Sequence, residues 1–211
     1  MENIFLLMGI LLTVLIGAIS PGPSFLFVAR TSISESRRNG IAAAIGISVG
    51  SFIFTLLVLL GLKTIFANLP WLYMGLKIIG GIYLVYLGIT IWRGANESIS
   101  VETMHCEEQN NYWRSFGMAL FTQMSNPKTA VFYGSIITAL LPQTVSVMFM
   151  VLLPLCVLLI EIGWFSVVAL VLSSNGPRST YFRSKIWIDR VAGGVMGLLG
   201  IKLSVSADII N

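Results

Sequence analysis

The sequence predicts an all-α, multi-pass membrane protein: six transmembrane helices arranged as two inverted three-helix repeats, with helices 1 and 4 broken at Pro-Gly-Pro and Asn-Pro-Lys. Three observations predict it. Of 211 residues, 56% are hydrophobic and only 10% are charged, with a mean hydropathy of +0.88, whereas a soluble domain carries about 25% charge. The apolar segments are long enough for helices of about 20 residues, and strand-like alternation is absent, which excludes a barrel. Finally, two interruptions, Ser20-Pro21-Gly22-Pro23-Ser24 and Asn126-Pro127-Lys128, fall inside such segments.

The first span begins near Ile4 and reaches Pro21 after about 26 Å of helix. That is short for a core of roughly 30 Å, so the helix is expected to resume at Pro23, a proline well tolerated in a first turn, and to run on through Val28. Met1-Glu2-Asn3 supplies no basic n-region, so this segment reads as a membrane helix and not as a cleaved leader. The second span covers about residues 40–62, with Gly40, Gly46, Gly50 and Gly61 as close-packing surfaces. The third covers about 71–92, anchored by Trp71, Tyr73 and Trp92. A polar cytoplasmic linker, about 93–112, follows. The fourth span covers about 113–140 and carries Asn126-Pro127-Lys128. The fifth covers about 145–172, interrupted by Pro154 and carrying Glu161. A polar, basic loop over 173–185 leads to the sixth, about 186–205. The whole chain, 1–211, is thus one transmembrane domain, with repeat 1 at about 4–92 and repeat 2 at about 113–205.

With six spans, the odd-numbered loops share one membrane face. They hold nine basic residues, among them Arg30, Arg37, Arg38, Arg93, Arg114 and Lys185, against three, Lys63, Lys77 and Lys202, near the other face. The positive-inside bias makes the first face cytoplasmic and puts both termini on the non-cytoplasmic side. It also accounts for the net charge of +4 without nucleic acid.

The two interruptions superimpose at an offset of 105 residues, Ser20 to Ser24 on Ser125 to Thr129, and Phe27 on Phe132. Gly81 and Gly88 match Gly193 and Gly200 at an offset of 112. Halves with three spans each must enter the membrane in opposite orientations. Interrupted helices at matching positions of such halves point to a transporter's binding site.

Pro21-Gly22-Pro23 in the first span, Asn126-Pro127-Lys128 in the fourth, the six-span layout and the length together resemble the LysE/RhtB amino-acid exporters, over essentially the whole chain. The resemblance implies a bacterial inner-membrane transporter, not an enzyme, that exports amino acids or their derivatives from the cytoplasm by proton antiport. Members often carry an acidic residue after the glycine of span two. Here Ser51 follows Gly50, while an acid in span five is retained as Glu161. The missing acid tilts the expected substrate toward neutral rather than cationic amino acids.

The candidate path residues are Pro21, Gly22, Pro23, Ser24, Asn126, Pro127, Lys128 and Thr129, with Glu161 as the proton-coupling candidate. A proline inside a helix removes one backbone donor and frees a carbonyl one turn earlier, tolerable at membrane depth only against protein or a water-filled cavity. The half-helix starting after each break offers N–H groups to a substrate carboxylate, and the one ending before it offers carbonyls to the ammonium. Lys128, whose charge costs about 3 kcal/mol or more at that depth, would complete the carboxylate site; the alternative is a structural pair with Glu161. Asn126 caps the helix that starts at Pro127, contacts substrate, or does both. Glu161, held between the opposing influences of burial and a nearby lysine, would take up and release a proton. Ser24, Thr129, Gln123 and Ser51 are further path residues or ordinary packing hydroxyls and amides. Arg30 reads as a topology signal or as part of a cytoplasmic mouth.

No cofactor or metal site is expected. Cys106 and Cys156 sit in a polar and an apolar segment, His105 stands alone, and no CxxC, HExxH or GxSxG occurs. The rival readings are a small-cation or metal exporter, which would want several intramembrane acids or histidines, and a membrane redox or cofactor-handling protein, which would want paired cysteines. The expected partners are an amino acid, protons and the lipid bilayer. Small faces such as Gly46/Gly50 suit packing within one chain or in a homodimer.

Overall fold

The computed structural model describes residues 2–20, 22–68, 70–96, 111–141, 146–173 and 175–206. Among them the chain is helical throughout: α1 (Glu2–Ile19), α2 (Pro23–Ser34), α3 (Arg37–Asn68), α4 (Pro70–Gly94), α5 (Tyr112–Met124), α6 (Pro127–Leu140), α7 (Val147–Leu172) and α8 (Asn175–Ser206). Both proline-containing stretches interrupt the helix, as expected. By length and apolarity, residues 37–62 of α3 and the whole of α7 each suffice to cross a membrane, and α1 with α2 makes a third if that pair, bent by 56°, is one span. Large apolar side chains more than half exposed, such as Phe5, Leu60, Ile79, Leu159 and Leu198, stand on five different helices. Apolar exposure on that scale fits lipid, not water.

Three expectations need correction. The stretch 173–185 is not a loop: α8 begins at Asn175. Its proline, Pro177, falls in the first turn, where no intrahelical N–H is needed, and polarity limits depth in a membrane without ending a helix. Pro154 does not interrupt the fifth segment; α7 runs unbroken through it, the lost bond being tolerated where neighbouring helices pack around the site. Pro154 is buried. Finally, α3 starts at Arg37, where Ser36 Oγ accepts from Asn39 N at 3.1 Å, and it reaches Asn68, two residues before Pro70 opens α4. Most of the expected linker, including Cys106, lies outside the described residues.

The apolar core falls into two clusters. Ile10, Val14, Leu59, Ile136, Leu153 and Val157 belong to one; Phe25, Val28, Ile47, Ala119, Phe165 and Ala169 belong to the other. α3 and α7 run through both. α1 and α6 contribute to the first and α2 and α5 to the second, so each break lies where the chain passes from one cluster to the other. Between them sits a buried polar layer: Ser20, Ser51, Gln123, Asn126, Thr129 and Glu161.

Glycines set the closest helix contacts. α4 and α8 pack extensively and antiparallel. A Cβ on Gly88 would stand 2.6 Å from Gly193 O, and one on Gly200 would stand 2.6 Å from Gly81 O. The Gly46/Gly50 face is filled within the chain by α5: a Cβ at Gly50 would lie 2.7 Å from Gln123 Cγ. Lys185, expected in a loop, is a buried residue of α8. Its Nζ donates to Gly94 O at 3.0 Å and Ala95 O at 3.3 Å and pairs with Asp189 Oδ2 at 2.8 Å. It thereby satisfies carbonyls at the end of α4, where a cation is favoured.

Candidate functional site

The polar layer encloses a cavity lined by both breaks: Gly22, Pro23 and Ser24 from one, Asn126, Lys128 and Thr129 from the other, with Glu161 from α7. Seven of the nine sequence-derived candidates therefore share one space. Pro127 is the first residue of α6, exposed and outside the cavity lining, and Pro21 lies outside the described residues. The cavity holds about 50 Å³, room for roughly four waters at 10–15 Å³ each.

A hydrogen-bonded chain ties the breaks together. Asn126 Nδ2 donates to Ser24 Oγ at 3.2 Å, and Ser24 Oγ donates to Gln123 Oε1. Gln123 Nε2 donates to Ser51 Oγ at 2.7 Å, while Thr129 Oγ1 reaches Gln123 Oε1 at 3.4 Å. Four helices and the Asn126 cap are thus joined through side chains largely removed from solvent. Such networks fix one arrangement only while every member is satisfied.

The two restarts differ locally. Each has proline at its first turn, Pro23 and Pro127, 104 residues apart, so at this point the halves match at 104 and Pro23 corresponds to Pro127 rather than to Lys128. Asn126 Oδ1 accepts from Lys128 N at 3.0 Å, capping α6. Gly22 offers α2 no side-chain cap. The carbonyls before the first break are not all free, since Trp164 Nε1 donates to Ala18 O at 3.1 Å.

Glu161 is buried. Its Oε1 accepts from Tyr133 Oη at 2.6 Å, and Oε2 has no hydrogen-bond partner among the described residues. The Ser51 hydroxyl also lies within electrostatic reach of both Glu161 and Tyr133. Lys128 and Glu161 line the same cavity without forming an ion pair. The Lys128 amine lies beside Gly22, where a Cβ would stand 3.1 Å from Nζ.

Tyr133 is a residue that sequence reasoning missed. It is 1% exposed, and its spacing from Asn126 and Thr129 (i, i+3, i+7) marks one helix face, a signal available in the sequence. Asp189 was missed too. It is a second buried acid, its Oδ1 without a partner among the described residues, and its charge acts on Lys128. Its position in a segment expected to be a plain membrane span, next to a basic stretch read as loop, concealed it. Among the described residues no group of three or more His, Cys, Asp or Glu is gathered as a metal site would require.

A LysE type translocator family model matches residues 15–207. The threonine efflux protein of Escherichia coli (strain K12) is 31% identical over 194 residues, 91% of this chain and 94% of that protein; the threonine efflux protein of Salmonella typhi matches to the same extent. An uncharacterized membrane protein of Haemophilus influenzae is 28% identical over 201 residues, 94% of this chain and 95% of its own. No solved structure matches. With a family match across nearly its full length, and an interior polar cavity between two broken helices, the chain belongs to the LysE type translocators, a family of transporters and not of enzymes.

Proposed function

We propose that the protein is a secondary exporter of neutral amino acids or their derivatives, working by proton antiport in a bacterial inner membrane with both termini outside the cytoplasm. One observation carries the reading: the two helix breaks and two unpaired, opposite charges, Lys128 and Glu161, line one interior cavity. The names of the threonine efflux relatives support an amino-acid substrate. Ser51, neutral and hydrogen-bonded to Gln123, supports a neutral one.

The six spans of this reading are α1 with α2, α3, α4, α5 with α6, α7 and α8, the last three being the inverted counterparts of the first three. The α4–α8 glycines support it. Gly81 meets Gly200 and Gly88 meets Gly193, while the sequence makes Gly81 equivalent to Gly193 and Gly88 to Gly200. Contacts that swap equivalent positions are what a twofold axis between two copies generates. Other contacts follow the same exchange: α1 packs on α7 as α5 packs on α3, and α2 on α7 as α6 on α3.

In the substrate-bound state, the uncapped first turn of α2 and the Lys128 ammonium hold the substrate carboxylate. Glu161 Oε2, the unpartnered oxygen, accepts from the substrate ammonium, while Tyr133 keeps the carboxyl oriented through Oε1. A proton arriving on Glu161 removes the charge that holds the ammonium. Substrate and proton thus compete for one carboxylate, which is the logic of exchange. Substrate passage requires the Ser24–Gln123–Ser51 chain to open, as alternating access demands.

The test uses proteoliposomes with an imposed pH gradient and a panel of radiolabelled amino acids. The wild type is expected to move neutral amino acids against the proton gradient. Glu161→Gln should reduce pH-driven transport to background with insertion and abundance unchanged. Transport by Glu161→Gln that matches the wild type across a pH series excludes the proton-carrier role. A wild type that moves metal ions and no amino acid excludes the substrate class.

A further inference from the structure

We propose that a second cavity, between the C-terminal half of α2 and the first turns of α5, is a cytoplasmic vestibule that binds the amino-acid zwitterion before it reaches the central site. This rests on the amino-acid export reading above and adds to it a place, a set of residues and a direction of entry. The cavity has a volume of about 230 Å³, against about 50 Å³ at the central site, so it has room for a small amino acid in the state observed.

Its lining carries both signs of charge. Arg30 and Arg114 face the space with Glu35, and Ser34, Ser115 and Met118 complete its walls. Glu35 Oε2 is fixed, accepting from Asn39 Nδ2 at 2.8 Å and Ser115 Oγ at 3.1 Å. Oε1 has no donor among the described residues. Arg30 and Glu35 are opposite charges on one cavity, yet they form no ion pair. Ser34 contributes a buried hydroxyl with no partner among the described residues. Buried polar atoms in proteins are satisfied by protein, water or ligand. A site that keeps Arg30 and Glu35 apart, with a spare hydroxyl on its wall, is complementary to a molecule carrying a carboxylate at one end and an ammonium at the other.

The placement fits entry from the cytoplasm. Glu35 ends α2 and Arg114 begins α5, at the loops that hold the basic residues of the positive-inside face. The same two helices continue to the central cavity through Ser24 and Gln123. From Thr31 to Ser24 is about 10 Å along α2 at 1.5 Å per residue. A solute leaving the vestibule along this seam meets the Ser24–Gln123 hydrogen bond first, which makes that bond the inner gate. An anionic lipid headgroup is a poorer occupant, because Glu35 repels a phosphate that Arg30 and Arg114 attract.

The test compares transport from the two sides. Inside-out vesicles present the cytoplasmic face to the medium, and right-side-out vesicles present the other; uptake of radiolabelled threonine is measured over a concentration series. Arg30→Gln and Glu35→Gln are each expected to raise the half-saturating concentration about tenfold from the cytoplasmic face, with a smaller change from the opposite face and in maximal rate. Arg30 is exposed, so its variant remains interpretable if loss of Glu35 disturbs the Asn39 and Ser115 bonds. Equal shifts on both faces, or none, overturn the vestibule while leaving the central site intact. An effect seen in phosphatidylglycerol-containing vesicles and lost in pure phosphatidylcholine vesicles assigns the space to anionic lipid and also overturns it. A wild type that moves none of the standard amino acids overturns both readings.

Discussion

The two helix breaks begin alike and end differently. At each, a helix stops, two or three residues pass, and a new helix starts on proline. At the second break, Asn126 turns its side chain onto Lys128 N and closes the new helix's N-terminus with the chain's own atoms. At the first, Gly22 has no side chain to do so, and the nearby Ser24 hydroxyl is committed elsewhere, to Gln123. A capped N-terminus has discharged one of its orphan donors; an uncapped one keeps them for a ligand. The second break supplies a side-chain cation and a finished cap, the first an open backbone end, and Gly22 brings the two within van der Waals reach. On the proposed reading, the breaks are complementary halves of one anion site more than duplicates of each other.

Removing the cation should have the largest effect. Lys128→Met keeps most of the stem and its packing while deleting the ammonium, and truncating one partner of a buried charged interaction costs about 2–5 kcal/mol. Transport should fall about 100-fold or more, with abundance in the membrane near that of the wild type. If Lys128→Met instead loses insertion and the little protein that inserts transports at the wild-type rate, the lysine is a structural element and the comparison fails at its main point.

The prominence of Lys128 was legible in the sequence, because a charge inside an apolar run has few innocent explanations. So were both breaks, Glu161 and the α4–α8 glycines. What escaped depends on distances between helices. Nothing in the chain order announces that Tyr133 meets Glu161, that Ser24 and Gln123 bond across 99 residues, or that Lys128 and Glu161 share a cavity unpaired. The ends of helices escaped for a different reason. Hydropathy reports where a segment is apolar, and a helix continues past that point wherever the backbone allows, as α8 does back to Asn175. Lys185 shows the consequence: counted as a loop charge in the topology reading, it is a buried cap on α4.

Crowding the contact between the breaks should have an intermediate effect. Gly22 has φ −148° and ψ −174°, an extended conformation open to any residue, so its lack of a side chain is a matter of space. A methyl there would stand 3.1 Å from Lys128 Nζ. The lysine end can swing aside at little cost to the fold, but it then leaves the uncapped N-terminus. A displaced hydrogen bond from a charged group is worth about 1.5–3 kcal/mol, so Gly22→Ala should lower transport about tenfold while thermal stability in detergent is unchanged. Equal transport by Gly22→Ala and wild type would separate the lysine from the first break.

The smallest effect is expected at the cap. Asn126→Ala removes both the acceptor for Lys128 N and the donor to Ser24. Loss of such a cap costs about 1 kcal/mol, which for a chain of this size lowers the melting temperature by about 2–4 °C. Asn126→Ser divides the two roles. Its hydroxyl caps a helix about as well as asparagine but is too short to span the 3.2 Å bond to Ser24 from the same backbone. If Asn126→Ser regains the stability lost in Asn126→Ala and also regains transport, Asn126 acts as a cap for its own break alone. If it regains stability and stays defective in transport, measured as efflux per inserted molecule, then the bond between Asn126 and Ser24 is what transport needs, and the two breaks open and close as one unit.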